Sequence, residues 1–358
     1  MSTSRPPHSN LPKFLRNDEV TQECQALLST LPKEKTRLMT LYKYQGFWYN
    51  ALWLEGVLEC QPHFQAQDTD ILLATTPKSG TTWLKALMFT LVNRKDCPII
   101  TEDHPLVTTN PQDLVPNLEF DLYANNQVPD LASFASPRLF STHLPFTSLP
   151  KSVHESACKL VYLCRDPKDV FVSLWHFSNK LRPQNLDIIA FEETFHKYCK
   201  GVSFYGPFWD HILGYWNESL RNPEKMLFLK YEDMKEQPRL HLRRLAQFMH
   251  CPFSAKEETE GVVDEILRLC SFGNLRNLEV NKDGKLSSGF ENSAFFRRGE
   301  VGDWKNYLTA EMGDQLDEII EEKKKRHGVG QREPALMPVE PDPNHRPNQK
   351  LIQKMKMK

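Results

Sequence analysis

The chain has 358 residues, 40% hydrophobic and 25% charged, an ordinary globular balance with enough length for one large domain or two smaller ones. A formal net charge of −1 gives no bulk attraction to nucleic acid or an anionic membrane, so any anion site must be local. The eight cysteines are scattered without a C-x-x-C pair, and no apolar run is long enough for a leader or a membrane span. Both argue against a zinc module or disulfide framework and for a cytoplasmic protein.

Residues 1–40, polar and proline-containing at the start, are expected to form a loosely ordered arm. From 41 to 65 an aromatic-rich block that includes Phe47, Trp48, Trp53 and Phe64 suits either core packing or the wall of an apolar pocket. Residues 71–74 predict a buried strand and 83–92 a buried helix. Further apolar strands are expected at 159–164 and 226–230, and a helix from Val170 to Phe177. Leu242, Leu245, Phe248 and Met249 recur at helical spacing. So do Val262, Val263, Ile266, Leu267 and Cys270, and later Met312, Leu316, Ile319 and Ile320, with Gly328 as a stop. Strands alternating with helices predict an α/β fold: one globular domain over 41–330, with a central, mostly parallel sheet flanked by helices. Residues 331–358 hold five prolines and a Lys-rich end and read as a disordered tail.

Between the first strand and its helix stands Pro77-Lys78-Ser79-Gly80-Thr81-Thr82. A tight turn into a helix N-terminus presents unpaired N–H groups and the positive end of a dipole, which suits an anion. Gly80 lets a ligand approach the backbone, Ser79, Thr81 and Thr82 add hydroxyl donors, and Lys78 adds a charge. The same hydroxyls would also serve an ordinary capped βα turn. The order differs from the nucleotide loop G-x-x-x-x-G-K-[ST], because Lys78 precedes Gly80. Arg165 falls where the second strand ends, with Ser173 eight residues on; a salt bridge to Asp166 or Asp169 is its alternative reading. Arg297 and Arg298 before Gly299 suit bidentate phosphate recognition, and a single His143 follows a strand-like run.

Together these stretches resemble the cytosolic sulfotransferase family over roughly residues 40–328. Pro77 to Trp83 is similar to its 5′-phosphosulfate loop. Arg165 to Ser173 matches the spacing of its 3′-phosphate motif. Phe296-Arg297-Arg298-Gly299 through Gly302-Asp303-Trp304-Lys305 is similar to its C-terminal R-K-G-x-x-G-D-W-K signature. The resemblance implies 3′-phosphoadenylyl sulfate (PAPS) as co-substrate, with no metal. It places Lys78, Ser79, Gly80, Thr81 and Thr82 on the 5′-phosphosulfate. Trp83 and Phe272, next to Ser271, would sandwich the adenine, with Tyr231 beside it. Arg165, Ser173, Arg297, Arg298 and Gly299 would hold the 3′-phosphate.

It further implies His143 as general base, Lys78 stabilising the leaving phosphate, and Ser173 diverting Lys78 until acceptor binds. Gln45-Gly46-Phe47-Trp48 resembles the plant branch. Residues 121–130 and 206–216 are similar to hydroxyjasmonate sulfotransferases, with flavonol and brassinosteroid enzymes sharing much of both. The acceptor is expected to be a small, largely apolar hydroxyl compound, with hydroxyjasmonate as candidate and a flavonoid, brassinosteroid or desulfoglucosinolate as alternatives. The family's dimer motif is altered at Ala310 and Asp314, which puts homodimerisation in doubt. Ser141 stands where animal members carry a lysine. A P-loop kinase and an inactive PAPS-binding protein are the rival readings.

Overall fold

The computed structural model describes residues 20–99, 103–124, 128–183, 185–286 and 289–326. Four strands form a wholly parallel sheet in the order β5-β4-β6-β7: β4 (Ile71–Thr75), β5 (Leu139–Thr142), β6 (Lys159–Cys164) and β7 (Met226–Lys230). Period-two alternation divides each strand between two cores. Ile71, Leu73, Val161, Leu163, Leu227 and Leu229 pack into one layer. Leu72, Ala74, Phe140, Leu160, Tyr162 and Phe228 pack into the other. Helices cover both faces, and the chain runs from central β4 first to β5 on one side and then to β6 on the other. That reversal opens a crevice at the carboxyl ends of the strands, where open α/β sheets bind ligands.

The lower end of the β4–β5 pair is fixed by a buried charge pair. Arg138 Nε and Nη2 donate to the two oxygens of Asp70 at 2.7 and 2.6 Å. A bidentate pair of this kind sets register as well as energy.

The N-terminal segment departs from expectation. Residues 20–40 carry helix α1 (Gln22–Thr30) and strand β1 (Lys33–Lys35) rather than a loose arm. Val20, Cys24 and Leu28 supply the reason, since all three are buried in the second core. β1 pairs antiparallel with β2 (Thr40–Tyr44), which pairs with β3 (Phe47–Tyr49). The aromatic block is therefore a hairpin followed by helix α2 (Ala51–His63), and it serves both core and cavity. Residues 1–19, Gly328 and the tail 331–358 lie outside the described residues; the last described helix is Ala310–Arg326.

Just ahead of β5 the backbone loosens its winding. Leu118–Leu122 form a single π-helical turn, capped by Asn117, whose Oδ1 accepts the Phe120 N–H. Such turns recur at functional sites because they re-aim side chains. α2 packs on it so closely that a Cβ on Gly56 would lie 1.7 Å from the Glu119 carbonyl oxygen. Gly56→Ala is therefore expected to cost about 2 kcal/mol or more in urea unfolding, and to lower turnover by shifting Glu119. An unchanged midpoint would contradict this packing.

Candidate active site

Helix α3 (Thr81–Asn93) begins immediately after the turn that follows β4. Gly80 is its N-cap at φ 105°, and no side chain caps it. The Ser and Thr hydroxyls do not close the helix end, so its first N–H groups remain available to an anion. Gly80 is required sterically as well as conformationally. A Cβ there would lie 2.7 Å from Tyr231 Cδ2. Lys78 holds φ 71°, a left-handed conformation that a non-glycine residue adopts only when its surroundings enforce it. Its ammonium lies 3.9 Å from the ring centroid of Phe177 and makes no ion pair among the described residues. Burial first, then the charges of Arg297, Arg165 and Lys180, bring its pKa down to about 7.

His143 follows β5 and is held on three sides. Its Nδ1 donates to the Thr75 carbonyl at 2.7 Å, at the end of the neighbouring strand. That bond leaves the lone pair of a neutral ring on Nε2. The His143 N–H donates to Glu119 Oε1 at 2.7 Å, and Thr142 Oγ1 donates to Glu119 Oε2 at 2.8 Å. The His143 carbonyl accepts from His211 Nε2, whose Nδ1 accepts from Tyr162. Burial lowers the His143 pKa to about 3, although the Thr75 bond opposes it. Phe120 stacks on the ring at 5.8 Å.

Opposite stands the arginine wall. Arg165, at the end of β6, sits over the Tyr231 ring and donates Nη2 to the Glu300 carbonyl and, at 3.3 Å, to Asp169. The salt bridge to Asp169 is therefore present, while Arg165 Nε and Arg297 Nε are buried without a partner among the described residues. Asp169, fully buried in the Pro167–Leu181 helix, accepts N–H bonds from Gly302 and Trp304 as well. It ties the C-terminal segment to the sheet. Asp303 receives Arg297 and Arg298; burial raises its pKa, but the arginine bonds outweigh that and hold it low. The Tyr231 hydroxyl donates to the Gly299 carbonyl.

These groups line one cavity of about 530 Å³. Lys78, Gly80, Thr81, Thr82, Arg165, Ser173, Arg297, Arg298 and Gly299 meet there with Trp83, Tyr231, Phe272 and His143. Two expected residues do not line it. Ser79 is fully buried and bonded to Thr76 Oγ1 at 2.6 Å. Ser271 caps the Phe272–Asn277 helix by accepting the Asn274 N–H. Nor does Ser173 bond Lys78 here, because the ammonium rests on Phe177. The far end is walled by Leu52, Trp53, Phe120, Phe204 and Phe290, with Asp121 the one carboxylate among the described lining residues. Glu119, Thr75, Lys85 and Gln112 support the site and were not singled out from the sequence. The alternation of Glu119 and Asp121 with Leu118, Phe120 and Leu122 was the available signal for Glu119. Among the described residues, no group of three or more His, Cys, Asp or Glu is placed to hold a metal ion.

The sulfotransferase domain family matches residues 68–328. Cytosolic sulfotransferase 5 of Arabidopsis thaliana is 50% identical over 317 residues, 88% of this chain and 98% of that protein. Cytosolic sulfotransferase 11 of the same plant is 49% identical over 90% of this chain and 91% of its own length. Among solved structures, an Arabidopsis thaliana sulphotransferase is 43% identical, with TM-score 0.70, covering 90% of this chain and 99% of that one. A mouse sulfotransferase, SULT7A1, solved with PAP, is 26% identical with TM-score 0.62, covering 81% of this chain and 96% of that one. Family motif, fold and near end-to-end identity agree, and the chain belongs to the plant cytosolic sulfotransferases, enzymes that move a sulfuryl group from PAPS to a small-molecule acceptor.

Proposed function

We propose that PAPS binds with its phosphates between the α3 N-terminus and the Arg165–Arg297 wall, and that His143 and Lys78 carry out transfer to an acceptor hydroxyl at the aromatic end. The supporting observation is one cavity holding an unpaired lysine and two arginines with orphaned Nε atoms beside a neutral histidine. Buried donors without acceptors are costly, and a polyanion satisfies all three at once. The acceptor oxygen forms its bond to sulfur as the bond from sulfur to the bridging oxygen breaks. The hydroxyl proton passes to His143 Nε2, and PAP (3′-phosphoadenosine 5′-phosphate) leaves. Charge growing on the bridging oxygen is met by Lys78. Burial leaves His143, with a pKa of about 3, a weak base. The donor's negative charges raise it toward the working range, so donor binding builds the base.

His143→Ala should lower kcat by at least about 100-fold while PAP still binds within a few-fold of wild type. Near-normal turnover would exclude His143 as the base. Lys78 gives a second test, with its sign fixed by linkage. Its pKa of about 7 lies below the ordinary 10.5, and an anion favours the protonated form. PAP affinity should therefore be highest below pH 7 and fall as pH rises above it, and binding in that upper range should take up protons. Calorimetry across this range should show the fall in wild type and a flat profile in Lys78→Met. A flat wild-type profile would remove the assignment.

For the acceptor, the cations that line the cavity among the described residues are Lys78, Arg165, Arg297 and Arg298, and the charged neighbour of the aromatic wall among them is Asp121, next to Phe120. A carboxylate placed there would be desolvated without a partner, beside a like charge. Hydroxyjasmonate therefore fits best as an uncharged ester, and neutral flavonols and brassinosteroids satisfy the same wall. The methyl ester of hydroxyjasmonate should exceed the free acid in kcat/KM by at least about tenfold. Preference for the free acid would overturn this reading of the wall.

A further inference from the structure

Lys85 lies in the middle of α3 and is 1% exposed, a rare place for a lysine. Its Nζ donates to Gln112 Oε1 at 2.5 Å, and no carboxylate pairs with it among the described residues. Gln112 Nε2 in turn donates to Thr82 Oγ1 at 2.8 Å. Gln112 is held by its own short helix, Pro111–Leu114, where its N–H donates to Asn110 Oδ1. Asn110 Nδ2 is anchored on Asn281 Oδ1 at 2.7 Å, and Asn281 Nδ2 donates to the Leu275 carbonyl.

The direction of each bond is forced. An ammonium has donors and no acceptor, so the amide oxygen of Gln112 must face Lys85. The amide nitrogen must then face Thr82. A threonine hydroxyl that accepts from an N–H keeps its own proton free, and Thr82 lines the cavity at the α3 start. We propose that Lys85 and Gln112 are a positioning relay that turns the Thr82 hydroxyl into an obligate donor toward an anionic oxygen of the bound co-substrate. The inference rests on the donor-site reading above. It gives a buried lysine that touches no ligand a role in the reaction. It also explains why an amide, rather than a carboxylate, stands beside a buried cation. A carboxylate would pair with Lys85 but would take the Thr82 proton for itself. Burial lowers the Lys85 pKa to about 8, against the opposing pull of Asp121, Glu119 and Asp113, and at neutral pH the ammonium still donates.

The test is Gln112→Glu, which preserves shape and adds an ion pair to Lys85. The expected result is a melting temperature no lower than wild type with kcat/KM for PAPS down at least about tenfold, the loss of one charge-assisted hydrogen bond. Thr82→Val should show a loss of the same order, and Thr82→Ser should restore most of it. The Gln112→Glu, Thr82→Val double variant should be no worse than Thr82→Val alone, because both remove the same bond. Wild-type kcat/KM in Gln112→Glu, or additive losses in the double variant, would overturn the relay. PAP calorimetry on the wild type separates the two levels. If PAP fails to bind, the donor-site reading falls and the relay with it. If PAP binds and Gln112→Glu is unaffected, only the relay falls.

Discussion

The bond from His143 Nδ1 to the Thr75 carbonyl joins the carboxyl ends of two neighbouring parallel strands. In net terms it contributes on the order of 1 kcal/mol. Its importance is positional, because it fixes which nitrogen of His143 keeps its lone pair. The bond exists only while β4 and β5 keep their register, and the buried Arg138–Asp70 pair holds that register from the other end. Thr75 also hydrogen-bonds the Thr81 hydroxyl at 2.7 Å. One residue thereby places the histidine and the start of α3 against each other. Glu119 completes the clamp from the opposite side, with both carboxylate oxygens occupied by the two residues at the end of β5.

Around this fixed point the charges are arranged against their own comfort. Burial depresses the Lys78 pKa and the nearby Arg297 and Arg165 depress it further, and one guanidinium nitrogen of each arginine has no partner among the described residues. Such a wall works against folding and in favour of binding, the usual exchange at a functional site. The protein limits the cost with Asp169 and Asp303, which hold the arginines in place without filling the cavity. A polyanionic ligand then returns stability to the folded state by mass action.

Much of this was legible in the chain. The strands at 71–75, 159–164 and 226–230 are buried on both faces, so they read as short apolar runs. Lys78, Arg165, Arg297 and His143 were legible as types at characteristic spacings, and the structure brings them together. Hydroxyl direction was not legible. Ser79 and Ser271 carry the same hydroxyl chemistry as Thr82, yet one turns into the core and the other caps a helix. The hairpin of β1 to β3 was hidden because its aromatic residues are buried for different reasons on different faces. Residues 83–92 read as a buried helix, but nothing local shows what satisfies Lys85 within it; its partner, Gln112, lies twenty-seven residues later. Long-range polar contacts leave no periodicity behind.

Asp169 carries a consequence for how the enzyme comes into being. Its carboxylate waits for backbone N–H groups that lie 133 and 135 residues further along the chain. At roughly 5–20 residues per second, those partners emerge on the order of ten seconds after it does. Through most of that interval the growing polypeptide already contains Lys78, His143 and Arg165 but lacks Arg297 and Arg298. Under the proposed mode of binding, the cavity is complete only once Arg297 and Arg298 have emerged, and a product terminated before Arg297 would carry Lys78 and His143 without that part of the wall.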